Sequence, residues 1–128
     1  MAKKIVFTDQ APEPIGPYSQ AVWAGDMLYI SGQIAINPET GELIIDNIDE
    51  EATQVMENLK SILAEAGLNF SNVVKSSIFL YSMDDFNKVN EIYSGYFNNV
   101  SAPARETVEV SALPKGVNVE ISMIAYKG

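Results

Sequence analysis

The chain contains no histidine and no cysteine, and it has a single arginine and a single tryptophan. Without histidine it lacks the side chain that ordinarily titrates near neutrality and the commonest metal ligand, so acid–base work falls to carboxylates, Lys, Tyr, Ser, Thr, Arg or ordered water. Without cysteine there is neither thiol chemistry nor a disulfide staple. A serine triad lacks its base, and the sequence holds no phosphate-cradling glycine loop, dinucleotide fingerprint or calcium loop. Cations are scarce: Lys and Arg number 8 against 17 Asp and Glu, for a formal charge of -9. Such a surface repels a phosphate backbone and argues against nucleic acid as a partner. Long apolar runs are missing too. The N-terminal Met1-Ala2-Lys3-Lys4-Ile5-Val6-Phe7-Thr8-Asp9 has the basic start of a signal peptide but only three apolar residues before polar and charged ones. The chain is therefore expected to be cytoplasmic, without a membrane partner.

What is present suits one domain spanning residues 1–128: 47% of the residues are hydrophobic and 20% charged, with no repeat, linker or low-complexity tract. Ile5-Val6-Phe7 can begin a strand, and the three prolines between residues 11 and 17 then require a loop. Residues 21–24 and 27–31 read as strands joined by Gly25-Asp26, which suits a type II′ hairpin turn. Turn chemistry at Asn37-Pro38-Glu39-Thr40-Gly41 leads into a short apolar stretch at residues 43–45. From Asn47, able to cap, the residues Ala52, Val55, Met56, Leu59, Ile62, Leu63 and Ala66 repeat at helical spacing until Gly67. Residues 73–81 read as a strand. Ser82 with Asp85 then opens a second helix bearing Phe86, Val89, Tyr93, Tyr96 and Phe97, and residues 105–110 and 117–126 close the chain as two strands. This order predicts an α+β fold, a mixed β-sheet with two helices packed on one face. Val22, Tyr29, Phe79 and Tyr81 leave apolar groups in more than one strand phase, so the other face is expected to be apolar and to be covered by self-association.

Several polar residues stand where packing alone does not call for them. Asn90 falls on the apolar stripe of the second helix, where its amide is read as buried and hydrogen-bonded to a loop. Arg105 begins a strand and shares a face with Thr107 and Glu109. Its planar guanidinium can grip a small carboxylate in two-point fashion, as lysine cannot, and the plainer alternative is a surface ion pair. Glu120 belongs to the polar phase of the last strand with Asn118 and Ser122, whereas Val119, Ile121 and Met123 face the core. A partly dehydrated carboxylate there could orient a water or carry a proton; a solvated one would do nothing. Gly16-Pro17-Tyr18-Ser19-Gln20 offers a phenol, a hydroxyl and an amide on a stiff segment. The acids between residues 46 and 51 read as a solvated helix start and not as a metal site.

Five strings resemble, in order, the successive motifs of the RidA/YjgF family: Gly16-Pro17-Tyr18-Ser19-Gln20-Ala21, Tyr29-Ile30-Ser31-Gly32-Gln33-Ile34, Asn37-Pro38-Glu39-Thr40-Gly41, Pro103-Ala104-Arg105, and Leu113-Pro114-Lys115-Gly116 running on to Glu120-Ile121. The resemblance runs from about Ile15 to Ala125. It implies a chorismate-mutase-like fold, a homotrimer with sites in the clefts between subunits, and 2-iminobutanoate/2-iminopropanoate deaminase activity. Such a hydrolase acts on the C=N bond of reactive imines and enamines, giving 2-keto acids and ammonia, and the family uses no cofactor. By the same resemblance Arg105 binds the substrate carboxylate, Glu120 positions the attacking water, and Tyr18, Ser31 and Asn90 shape the pocket. Two positions depart from the family pattern. Glu106 stands where a small residue is usual and by alternation points away from Arg105, whereas Thr107 stands where bacterial members often have cysteine and shares the Arg105 face. Two alternatives are a keto-acid-binding regulatory trimer without turnover and an RNA-cleaving translation inhibitor, the latter disfavoured by the negative charge.

Overall fold

In the computed structural model, which describes residues 3–128, the alternating segments pair into one six-stranded sheet and both helical segments cross the same face of it. Met1 and Ala2, which open the segment weighed as a signal peptide, lie outside the described residues. The elements are β1 (Lys4–Val6), β2 (Ala21–Ala24), β3 (Met27–Gln33), α1 (Ile48–Glu65), β4 (Val73–Leu80), α2 (Phe86–Ser94), β5 (Ala104–Glu109) and β6 (Val119–Tyr126). In space the strands run β1-β2-β3-β6-β4-β5, all neighbours antiparallel except β4 and β5, whose parallel pairing is bridged by α2. One edge is β1, three residues long and entered through Lys3 and Lys4.

Local chemistry explains the joints. Gly25, at φ +61, makes the β2–β3 turn while Asp26 stays out of the left-handed region, as a type II′ turn requires. Asn47 caps α1 by accepting from the Glu50 amide at 2.8 Å, and Gly67, at φ +78, ends it. The second helix is shorter than its apolar spacing suggests. Ser82 caps a 3₁₀ turn over Met83–Asp85, α2 stops at Ser94 beside Gly95, and Tyr96 and Phe97 pack from the following turn against Phe70. The five expected positions thus reach the core without being one continuous helix. Asn90 is also corrected: it is half-buried at the margin of the stripe formed by Val89 and Tyr93, and its amide makes no side-chain hydrogen bond among the described residues.

The helix-covered face carries the core, with Leu28, Ile30, Ile78, Leu80, Val119, Ile121 and Met123 under Val55, Met56, Leu59, Ile62 and Leu63 of α1. Side chains of opposite phase fall on the open face. There Ile5, Val22, Tyr29 and Ile124 stand on neighbouring strands, with Ile5 at 50% and Tyr29 at 45% exposure. Further along, the same face carries Lys75, Ser77, Glu106, Phe79, Val108 and Glu120. Glu106 lies on the face opposite Arg105, held by Lys75 Nζ at 2.8 Å and by the Ser77 hydroxyl. Among the described residues, no helix is long and apolar enough to cross a membrane.

Candidate functional site

Where β3 meets β6 the register slips between Ile30 and Gln33, so Ser31 and Gly32 bulge out of the ladder. A bulge of this kind opens a sheet locally and re-aims the side chains beside it. Here it opens a pocket of about 600 Å³ lined by Tyr18, Ser31, Gly32, Lys115, Glu13 and Glu120 among others. Gly32 leaves room for the catalytic candidate: a Cβ there would stand 2.8 Å from Glu120 Cδ and 3.0 Å from Cγ, with Oε2 closer still, so a larger residue would have to displace the Glu120 side chain.

The wall opposite the bulge is the proline-rich loop, held by buried Gln20. Its side chain accepts from the Thr8 amide at 2.7 Å and donates to the carbonyls of Thr8 and Pro12 at 3.0 and 2.9 Å. Ser31 donates its hydroxyl to the Ser19 carbonyl at 2.6 Å, and the Tyr18 hydroxyl accepts from the Ile15 amide at 3.3 Å. Lys115 lines the pocket from the turn before β6 with φ at +57, the only non-glycine residue in the left-handed region among those described. That conformation costs of order 1 kcal/mol or more in a residue with a Cβ.

Glu120 is half-buried and makes no side-chain hydrogen bond among the described residues. Loss of hydration therefore raises its pKa above the ordinary 4.5, holding a carboxylate where it can take up a proton. The folded state binds this proton more readily than the unfolded state, so ionised Glu120 opposes folding above the raised pKa, and that penalty disappears as pH falls below the ordinary value. Glu120→Gln is accordingly expected to raise the melting temperature at neutral pH, with the difference vanishing below about pH 4. Thermal unfolding of both proteins across that range tests this; an equal gain at all pH values would refute it.

Arg105 lies elsewhere. It pairs with buried Ser76 on β4, and its guanidinium sits 5.0 Å from the ring centre of Tyr93 and 5.9 Å from that of Phe86, both on α2. Tyr93 is itself fixed, donating its hydroxyl to Ser76 Oγ at 2.8 Å. The guanidinium is half-buried between aromatic rings and makes no ion pair or side-chain hydrogen bond among the described residues, although acids outnumber cations in the chain. Thr107, two residues on and on the same face, has a buried hydroxyl oxygen with no hydrogen-bond partner among the described residues.

One chain does not bring these groups together. Arg105 is opposite Ser76 and Glu120 opposite Phe79, three residues apart on β4 and therefore on opposite faces of the sheet. The strand positions are about 10 Å apart along the sheet and about 10 Å across it. Tyr18, Ser31 and Glu120 share the pocket; Arg105 and Thr107 share the helix-side face at β5, and Asn90 rides on α2. Sequence reasoning overlooked Gly32, Lys115 and Tyr93 as parts of these arrangements. Gly32 and Lys115 stood within quoted motifs, but their geometry depends on a bulge and a left-handed turn that periodicity does not report.

The fold is a small α+β domain with a half-buried carboxylate at a pocket on one face of its sheet and a half-buried guanidinium against aromatic rings on the other. The family model described as Endoribonuclease L-PSP matches residues 8–127. A RutC family protein of Pyrococcus abyssi is 52% identical over 127 residues, 99% of each chain. The human protein named 2-iminobutanoate/2-iminopropanoate deaminase is 45% identical, over 100% of this chain and 93% of its own. A crystal structure from Yersinia pestis, titled as a protein of unknown function of the conserved Rid family, superposes with a TM-score of 0.94 at 47% identity, covering 98% of this chain and 99% of that one. The chain belongs to the RidA/YjgF family.

Proposed function

We propose that the chain is an imine deaminase, a hydrolase that converts 2-iminobutanoate and 2-iminopropanoate to 2-keto acids and ammonia, with its site assembled between copies of a homotrimer. The observation that carries this reading is the half-buried Arg105, stacked on Tyr93 and Phe86 with its N–H donors uncommitted. A half-buried guanidinium without an acid partner among the described residues is suited to receive a planar carboxylate from outside the chain. The name of the human relative supports the substrate class.

In the proposed site Arg105 of one copy fixes the substrate carboxylate over the pocket of the next. Glu120 accepts a proton from a water whose oxygen adds to the imine carbon and passes that proton to the imine nitrogen. It then takes the hydroxyl proton of the carbinolamine and delivers it to the amine nitrogen as the C–N bond breaks, leaving a C=O bond, ammonia and an ionised Glu120. Imines already hydrolyse in water, so positioning and proton transfer suffice, the latter contributing roughly 10² to 10⁴ in rate. Tyr18, Ser31, Asn90 and Thr107 are assigned to the walls, and no cofactor enters the reaction.

The test is release of ammonia and 2-ketobutyrate from 2-iminobutanoate generated in place by a threonine dehydratase. Acceleration proportional to added protein is expected. Equal rates with and without it would defeat the deaminase reading, and tight binding of 2-ketobutyrate in that case would identify a ligand-binding protein.

A further inference from the structure

Glu51, in the first turn of α1, is fully buried at 0% exposure and has no cation beside it among the described residues. Burying a carboxylate is costly unless donors replace its water, and three do. The main-chain amides of Asn118 and Val119 donate to Oε2 at 2.7 and 3.1 Å, and the Asn118 side-chain amide donates to Oε1 at 2.8 Å. The location matters more than the number. The pairing of β6 with β3 resumes past the bulge at Gln33 and Ile121 and ends there, because β3 itself stops at Gln33. The residues entering β6 have thus lost the strand that would flank them on that side. Glu51 takes their amides instead, while the Tyr81 amide donates to the Asn118 carbonyl at 3.0 Å. Glu120 follows directly, with no hydrogen bond of its own to aim it.

We infer that Glu51 is a positioning residue: by holding the Asn118 and Val119 amides it stands in for the missing strand and sets the direction in which Glu120 enters the pocket. This rests on the role given to Glu120 under the proposed function. A helix-to-strand tie with no further role would lower stability but leave the folded protein with normal turnover and a normal Glu120.

Three variants separate these. Glu51→Gln keeps one oxygen able to accept both main-chain amides, and the Asn118 amide can turn to accept from the new NH₂. Glu51→Ala removes the acceptor, and Leu59→Ala destabilises α1 from the core without removing any hydrogen bond made to Asn118 or Val119. Turnover is measured well below each melting temperature, beside a carbon-13 carboxyl titration of Glu120. Glu51→Ala is expected to lower kcat roughly 10- to 100-fold, as a misaimed catalytic group would, with KM changed less than about threefold. Its Glu120 midpoint should fall toward 4.5, while Glu51→Gln keeps both values and Leu59→Ala loses only melting temperature. Where Glu51→Ala does not fold, Glu51→Asp, which withdraws the acceptor by one methylene, takes its place with the same expectation. Normal kcat and an unmoved Glu120 midpoint in folded Glu51→Ala would overturn the inference. No turnover by the wild type would defeat the deaminase reading alone, and the titration would then decide the role of Glu51.

Discussion

Arg105→Ala is expected to lower kcat/KM for 2-iminobutanoate by roughly 10² to 10³-fold, the loss typical of removing one partner of a desolvated, hydrogen-bonded charge pair. The fold should survive, because the guanidinium sits on the faces of Tyr93 and Phe86 and ties no other element by a hydrogen bond. Arg105→Lys keeps the charge but not the two-point grip or the flat stacking surface, so a deficit of about tenfold or more is expected to remain. Guanidinium ion added to the alanine variant should restore part of the rate, since the aromatic cradle is intact. Comparable kcat/KM for wild type and Arg105→Ala would remove Arg105 from the site.

The second large effect concerns assembly. Arg105 and Glu120 lie on opposite faces of one sheet, so a site that uses both must draw them from different copies. Arg105→Ala and Glu120→Ala proteins, each nearly inactive alone, are therefore expected to regain activity when unfolded together and refolded as a mixture. In a cyclic trimer, random one-to-one mixing places an intact Arg105 beside an intact Glu120 pocket in about a quarter of the sites. Recovery of roughly a quarter of the wild-type rate would support the shared site. A mixture no more active than its components would defeat a site that draws Arg105 and Glu120 from different copies.

Much of this was legible in the residues, for reasons that differ from one to the next. The phase of β6 is plain because Val119, Ile121 and Met123 alternate with Asn118, Glu120 and Ser122, and a half-covered strand must separate the two sets. Arg105 drew notice as the only arginine, but that it leans on Tyr93 and Phe86 depends on α2 crossing back over β5, which no local pattern encodes. Apolar spacing overruns the end of α2 because Tyr96 and Phe97 keep it after the helix has stopped at Ser94. It also sets Asn90 deeper than the structure does, since spacing alone does not locate the centre of a short stripe. Glu51 resembled one more acid at a solvated helix start; its burial is settled by a strand 67 residues away.

The short first strand bears on what this protein avoids. A sheet with a broad apolar face invites association, and an unpaired strand edge invites association of another kind, the open-ended addition of strands that ends in fibrils. At β1 the edge offers only three residues, and ammonium groups on Lys3 and Lys4 stand at its entrance. An incoming strand would gain few main-chain bonds there and meet charge at once. Contact through the face can close into a particle of fixed size, and at β1 the layout disfavours open-ended strand addition while leaving that contact available; the opposite edge, β5, is six residues long and carries no such guard of lysines.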